Sequence, residues 1–212
     1  MQIQLLCSDK KHAVYPALQR WLEKWSDTHD ITLHSKSSTL TGGELLFLIS
    51  ASEIVTLEVL GLFNASLVVH GSDLPKGRGW SPVSWQLIEG KVDLTLFLIE
   101  ADIPVDSGRI WKKIDLRIEE TYLFEEISNV VSAGTLELMD FAVMNFSKVE
   151  PQVQVGEPTF YPKRSPNDSE IYPGQTVEEV FNLLRTCDPQ RYPAFFTHKG
   201  RKFKLIIEGF DD

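Results

Sequence analysis

Two short stretches of the chain place residues where they could move protons. The run VVHGSDLPKGRGWSP, residues 68 to 82, sets His70 just ahead of a glycine-rich loop. VDSGRI, residues 105 to 110, sets Asp106 on a second loop 36 positions later. A histidine beside a carboxylate in a shielded cleft can carry a proton between an attacking and a leaving group near neutral pH. Each residue also has a plainer reading. His70 could be a strand-end histidine satisfied by a backbone carbonyl, and Asp106 a turn residue, since Asp and Gly favour turns for backbone reasons.

The surrounding pattern says what would position them. IQLLC at 3 to 7 reads as a strand, and Val14, Leu18, Trp21, Leu22 and Trp25 recur at helical spacing. ITLH (31 to 34), ELLFLIS (44 to 50), SLVVH (66 to 70) and DLTLFLIE (93 to 100) read as further strands. Between them IVTLEVLGLF (54 to 63) suits a short helix, and another is expected from near Trp80 to Glu89, stopped by Gly90. Residues 116 to 146 read as helical throughout, bent near Gly134. An extended crossing loop over 152 to 174, a helix over 176 to 186 and a hairpin AFFTH-KGR-KFKLIIE complete the chain.

Alternating strands and helices predict an α/β fold: a Rossmann-like, open, mainly parallel sheet with helices on both faces. Residues 1–150 would form its core, and 151–212 a C-terminal appendage of loop, helix and β-hairpin within one domain. Ligands of such sheets gather at the carboxyl ends of the strands. The loops Ser8 to His12, Ser50 to Glu53, His70 to Gly79 and Ala101 to Gly108 are therefore the expected site.

Composition narrows the partners. A formal charge of −9, from 21 basic and 30 acidic residues, with no Lys/Arg run longer than two, argues against nucleic acid. Cys7 and Cys187 are the only cysteines, and no Cys/His cluster has metal-ligand spacing, so no metal is expected and a reducing cytoplasm fits best. No stretch is expected to supply the roughly 20 apolar residues of a membrane span, and MQIQLLCSDKK has no basic region before its apolar run. The chain reads as soluble and untargeted, with no membrane partner.

Residues 66 to 110 resemble the folate-dependent formyltransferase family, whose signature runs Asn-x-His-x-Ser-Leu-Leu-Pro-x-x-Arg-Gly and, later, Asp-Ser/Thr-Gly. The corresponding residues are His70, Ser72, Leu74, Pro75, Arg78 and Gly79, then Asp106, Ser107 and Gly108. A weaker resemblance continues from Met1 to about Phe141, and KRSPNDSEI with FNLLRTCDPQRYPAFF is similar to the tail of the sugar-modifying members. The resemblance implies transfer of a formyl group from 10-formyltetrahydrofolate to an amine through a tetrahedral intermediate. His70 would stabilise the oxyanion or transfer a proton, and Asp106 would orient it or accept the amine proton. The family asparagine two residues before the histidine is Val68 here. Losing one such donor costs on the order of a hundredfold or more in rate, and the Gly71 amide or the Ser72 hydroxyl are the nearby substitutes.

By the same resemblance folate would lie between 48 to 53 and 98 to 106, near Ser50, Ser52, Glu53, Leu74, Ile99, Ala101 and Ile103. For the acceptor, Lys10, Lys11, His12, Ser72, Lys76, Arg78, Gly79 and Trp80 could hold phosphate or stack a base, although charged loops, glycine turns and core aromatics are their plainer readings. The barrel domain and basic surface of the tRNA-formylating members are not expected, so a nucleotide-linked amino sugar is the expected acceptor. A phosphoribosylglycinamide-type transferase of purine synthesis and a folate- or nucleotide-binding protein without turnover are the alternatives. The hairpin leaves a homodimer open.

Overall fold

The computed structural model describes residues 1–210. In chain order its elements are β1 (Gln2–Leu6), α1 (Tyr15–Trp25), β2 (Asp30–His34), β3 (Gly43–Leu48), α2 (Leu57–Leu60) and β4 (Phe63–His70). There follow β5 (Arg78–Gly79), α3 (Pro82–Ile88), β6 (Asp93–Glu100), β7 (Ile110–Arg117) and α4 (Phe124–Asn145). The C-terminal part holds β8 (Phe160–Tyr161), β9 (Glu170–Ile171), α5 (Val177–Thr186), β10 (Ala194–His198) and β11 (Arg201–Leu205).

The main sheet has the order β2-β1-β3-β4-β6-β7. Its first four strands are mutually parallel, as expected of an α/β fold. Side chains alternate across a strand, so Ile3, Leu5, Leu45, Phe47, Leu67, Leu96 and Leu98 share one face. They are buried there against Leu18 and Trp21 of α1 and Leu138, Met139 and Ala142 of α4. One carboxylate ties these two helices together. Asp140 accepts from the indole nitrogens of Trp21 and Trp25, both at 2.8 Å, and from Lys24 at 2.6 Å. The opposite face is thinner. Leu6, Leu46, Leu48 and Val68 pack there with Leu40, Val55, Phe63, Ala101 and the single turn of α2.

The sheet is mainly parallel, as expected; at its far edge β6 pairs antiparallel with β4, and β7 antiparallel with β6. The structure departs from expectation in two other places. Residues 110–117 are a strand, whereas the helical reading of 116 to 146 had run over its end. IWKKIDLR alternates apolar and polar residues as an edge strand does, and its two adjacent lysines mask that period. Finally, α4 is unbroken through Gly134. A Cβ there would lie 3.0 Å from Leu96 and 3.1 Å from each of Ile114 and Leu116, so the glycine permits close helix-to-sheet approach and no bend is needed. By length and composition α4 is also apolar enough to cross a membrane, contrary to the expectation that no such stretch exists; here it packs on β6 and β7.

The appendage forms a three-stranded sheet, β11-β10-β9, with α5 laid over it through Ile171, Val180, Leu184, Cys187 and Ala194. Arg185 anchors this unit to the core. Its buried guanidinium donates to the carbonyls of Glu119 (3.0 Å) and Tyr122 (3.4 Å).

Candidate active site

His70 is the last residue of β4 and shares the thinner sheet face with Ser66 and Val68. It is 5% exposed. Its Nε2 lies 3.0 Å from the Gly77 carbonyl oxygen, and its Nδ1 3.5 Å from Oδ1 of Asp106. Both ring nitrogens therefore face acceptors, and a neutral imidazole, with one N–H, can satisfy only one of them. The strand-end reading and the acid/base reading thus coexist: Gly77 fixes one nitrogen, which leaves the other turned to the carboxylate. At 3.5 Å that second approach is longer than a well-formed N–H···O bond.

Asp106 is equally buried and has φ 60, a left-handed conformation that few non-glycine residues adopt. Its Oδ2 accepts from the Gly79 amide at 2.9 Å. The loop that carries it is pinched at its base: Glu100 N–H donates to the Arg109 carbonyl, and Arg109 clasps the Glu100 carboxylate at 2.7 and 2.9 Å. A Cβ on Gly108 would overlap the Glu100 carbonyl oxygen, so only glycine closes this loop. The loop reaches His70 although β6 runs antiparallel. Glu100 pairs with Leu67, in the middle of β4, and the chain then returns to the end of that strand. The carboxyl-end rule for parallel strands therefore does not account for this loop's place beside His70.

The glycine-rich turn is spoken for internally. Ser72 is buried and its hydroxyl donates toward the carbonyls of Lys76 (2.7 Å) and Gly77 (3.0 Å), which removes it as a substitute for the missing asparagine. The amides of Lys76, Gly77, Arg78, Gly79 and Trp80 donate to Asp73, Thr159, Thr159, Asp106 and Tyr161 respectively. Gly79 has φ 103, and a Cβ there would stand 2.5 Å from the Tyr161 carbonyl, so it serves close pairing of β5 with β8. None of the amides from Lys76 to Trp80 is left for a phosphate. α3 begins at Pro82, which has no N–H. Lys76 and Trp80 remain exposed, with Lys163 Nζ 4.3 Å above the Trp80 ring. Arg78 turns inward: it donates to Gln154 at 2.7 Å, and its Nε is buried without a protein partner.

Val68 packs with Leu74, Phe97, Ile99 and Ile110 on one side and with Leu48 and Ala101 on the other, an apolar floor where the family signature has an amide. Ile99 is fully buried in it, whereas Ile103 projects into solvent. A cavity of about 390 Å³ adjoins this floor, lined by Asp73, Leu74, Phe97, Ile110, Trp111 and Lys113 among others. A second, of about 360 Å³, lies on the C-terminal hairpin beside Tyr192, Phe195 and Phe203. Neither is lined by His70 or Asp106.

The loops after β1 and β3 meet each other. Ser52 N–H donates to the Ser8 hydroxyl at 3.0 Å, while Glu53 is engaged by the Ser37 amide and hydroxyl at 2.7 and 2.6 Å. Ser50 has φ 54, and its Oγ stands 3.3 and 3.5 Å from the two ring nitrogens of His12. Such near-equal distances place the hydroxyl over the ring and out of line with either lone pair. His12 Nδ1 already accepts the Val14 amide at 3.2 Å, so the two residues are no nucleophile–base pair. Burial, and then the Arg191 guanidinium, push the His12 imidazole below its ordinary value. Arg191 pairs with Asp9 and so ties the appendage to this loop, while Lys10 and Lys11 stay in solvent. Among the described residues no group of three or more His, Cys, Asp and Glu side chains gathers as a metal site would require.

Sequence reasoning missed the residue that holds the two loops together. Gln154 donates to the carbonyls of Asp106 and Gly108, both at 2.9 Å, and accepts from Arg78. Its only signal was the alternation in QVQV, where the apolar Val153 and Val155 face out.

No protein-family model matches the chain. Its sequence is 26% identical over 167 residues to a methionyl-tRNA formyltransferase of Thermodesulfovibrio yellowstonii, a match covering 77% of this chain and 54% of that protein. The chain thus spans about half the length of the curated relatives it matches. Among solved structures, a methionyl-tRNA formyltransferase from Clostridium thermocellum superposes with a TM-score of 0.87 at 24% identity, over 100% of this chain and 94% of the other. A 4-N formyltransferase from Francisella tularensis gives 0.78 at 14% identity, over 100% and 98%. HypX from Aquifex aeolicus in complex with tetrahydrofolic acid gives 0.79 at 18%, over 98% and 37%.

Proposed function

We propose, from the kinship of this chain in sequence and fold with the folate-dependent formyltransferases, that it moves the formyl group of 10-formyltetrahydrofolate onto an amine. The observation that carries this reading is the buried His70–Asp106 pair at 3.5 Å, held at the end of β4 by a loop that only glycine can close. Attack of an amine on the formyl carbon forms a C–N bond, frees a proton and builds charge on the carbonyl oxygen. Asp106 is the acceptor for that proton. His70, its Nε2–H fixed by Gly77, takes that proton from Asp106 at Nδ1, and the imidazolium so formed stabilises the oxygen and gives the proton to the folate nitrogen as its bond to the formyl carbon breaks. Ser50, Ser52, Ala101, Ile103 and the Val68 floor would border the flat folate ring, which needs an apolar slot with a few polar edges.

We assign the acceptor as the amine of a nucleotide-activated amino-deoxy sugar, of the UDP-linked 4-amino-4,6-dideoxy class. Two features support it: a net charge of −9, unsuited to a tRNA backbone, and the exposed Trp80, Lys76 and Lys163 beside Gly79, which offer an aromatic face and cations to a nucleotide. Incubating the protein with 10-formyltetrahydrofolate and a panel of nucleotide amino sugars, glycinamide ribonucleotide and methionyl-tRNA, with products read by mass, tests the assignment. Formylation of the tRNA or the ribonucleotide alone would overturn the acceptor. Val68 favours a second reading, binding without turnover, and folate affinity with no formylated product from any acceptor would establish it.

A further inference from the structure

We infer that Gln154 is a positioning residue for the proposed transfer, holding Asp106 in place from a segment 48 positions along the chain. The inference rests on the reading of His70 and Asp106 given above. Asp106 occupies a left-handed conformation unfavourable to an L-residue, and such conformations persist only where the surroundings over-determine them. Here the side chain is tied to Gly79, and the main chain is tied by Gln154 at both Asp106 and Gly108.

Gln154 is itself fixed. Ile110 and Gln152 exchange two backbone bonds, 2.7 and 2.9 Å, which set the register of this segment against β7. Two residues on, the Gln154 amide faces two carbonyls with its nitrogen and the Arg78 guanidinium with its oxygen. Only one orientation of the amide satisfies all three partners, so its donors cannot be exchanged for its acceptor. Glutamate would keep the tie to Arg78 and lose both ties to the Asp106 loop.

The consequence is kinetic. Displacing a catalytic group by about 1 Å costs on the order of a hundredfold, and without Gln154 the Asp106 main chain has no side-chain tie. Gln154→Ala and Gln154→Glu should each lower kcat about ten- to a hundredfold while KM for folate and acceptor stays within about twofold. Val153→Ala, the exposed neighbour, should behave as the unaltered protein. Amide exchange at Gly79, whose N–H is held by Asp106, should quicken in both Gln154 variants toward the rate in Asp106→Ala. Turnover of Gln154→Glu equal to that of the unaltered protein would overturn the inference, since pairing with Arg78 would then suffice. Unchanged Gly79 exchange in a folded Gln154→Ala would overturn it as well. If the unaltered protein formylates nothing, the transfer reading fails, and the exchange rates alone decide whether Gln154 holds Asp106.

Discussion

His70 and Asp106 face each other at 3.5 Å with about a twentieth of each exposed, and the second carboxylate oxygen is occupied by the Gly79 amide. The negative charge of Asp106 is thus turned toward the histidine by a backbone bond. Asp106→Asn keeps a carbonyl oxygen for Gly79 and tolerates φ 60 better than most residues. It should fold normally by circular dichroism and lose about a hundredfold or more in formyl transfer. His70→Asn should lose a similar factor. Turnover near that of the unaltered protein in both would exclude them as the proton-handling pair.

Val68 stands two residues before His70 on the same strand face, against Ile99 and Ala101. Val68→Asn would put a donor where the family signature has one, at a cost in stability of about 1–3 kcal/mol for an amide among apolar neighbours. Turnover per folded molecule should rise about tenfold or more. An unchanged rate beside a lowered thermal midpoint would mean that another group already serves the oxyanion.

Gly134 lies under three side chains of β6 and β7. Alanine would gain up to about 1 kcal/mol in helix propensity, yet its methyl group would press on Leu96, Ile114 and Leu116 together, and overpacking costs about 1–3 kcal/mol. Gly134→Ala should therefore lower the urea midpoint. A raised midpoint would show that the sheet can yield.

His12 titrates below its ordinary value of 6.5, first through burial and then through Arg191. A depressed folded-state value means that the unfolded chain binds the proton more readily, so this contribution to stability is complete above about pH 6.5 and is lost as pH falls from there toward the folded value. Protonation would also remove the Nδ1 lone pair that accepts the Val14 amide. In urea titrations His12→Gln should flatten the decline of stability as pH falls below 6.5. An equally steep decline would place the proton uptake elsewhere.

Much of this protein is written locally. The apolar runs of β1, β3, β4 and β6 and the spacing of Leu18, Trp21 and Trp25 are visible because strand and helix periods follow from backbone geometry alone. The types, order and separation of His70, Ser72, Arg78, Asp106 and Gly108 likewise stand in the chain. β7 was hidden because Lys112 and Lys113 interrupt its alternation, and Gly134 was misread because nothing nearby in sequence reports what presses on it.

The sequence by itself determined an α/β chain with a histidine and a carboxylate on two loops and a valine where a donor is expected. Only the tertiary structure decided which groups are already engaged. The turn that looked able to cradle phosphate has its amides bonded to Thr159, Tyr161 and Asp106, Ser72 is turned inward, and Gln154, distant in sequence, holds the Asp106 loop. A hydrogen-bonding residue advertises its capacity in the sequence, but which partner uses that capacity depends on what the fold brings within about 3 Å of it.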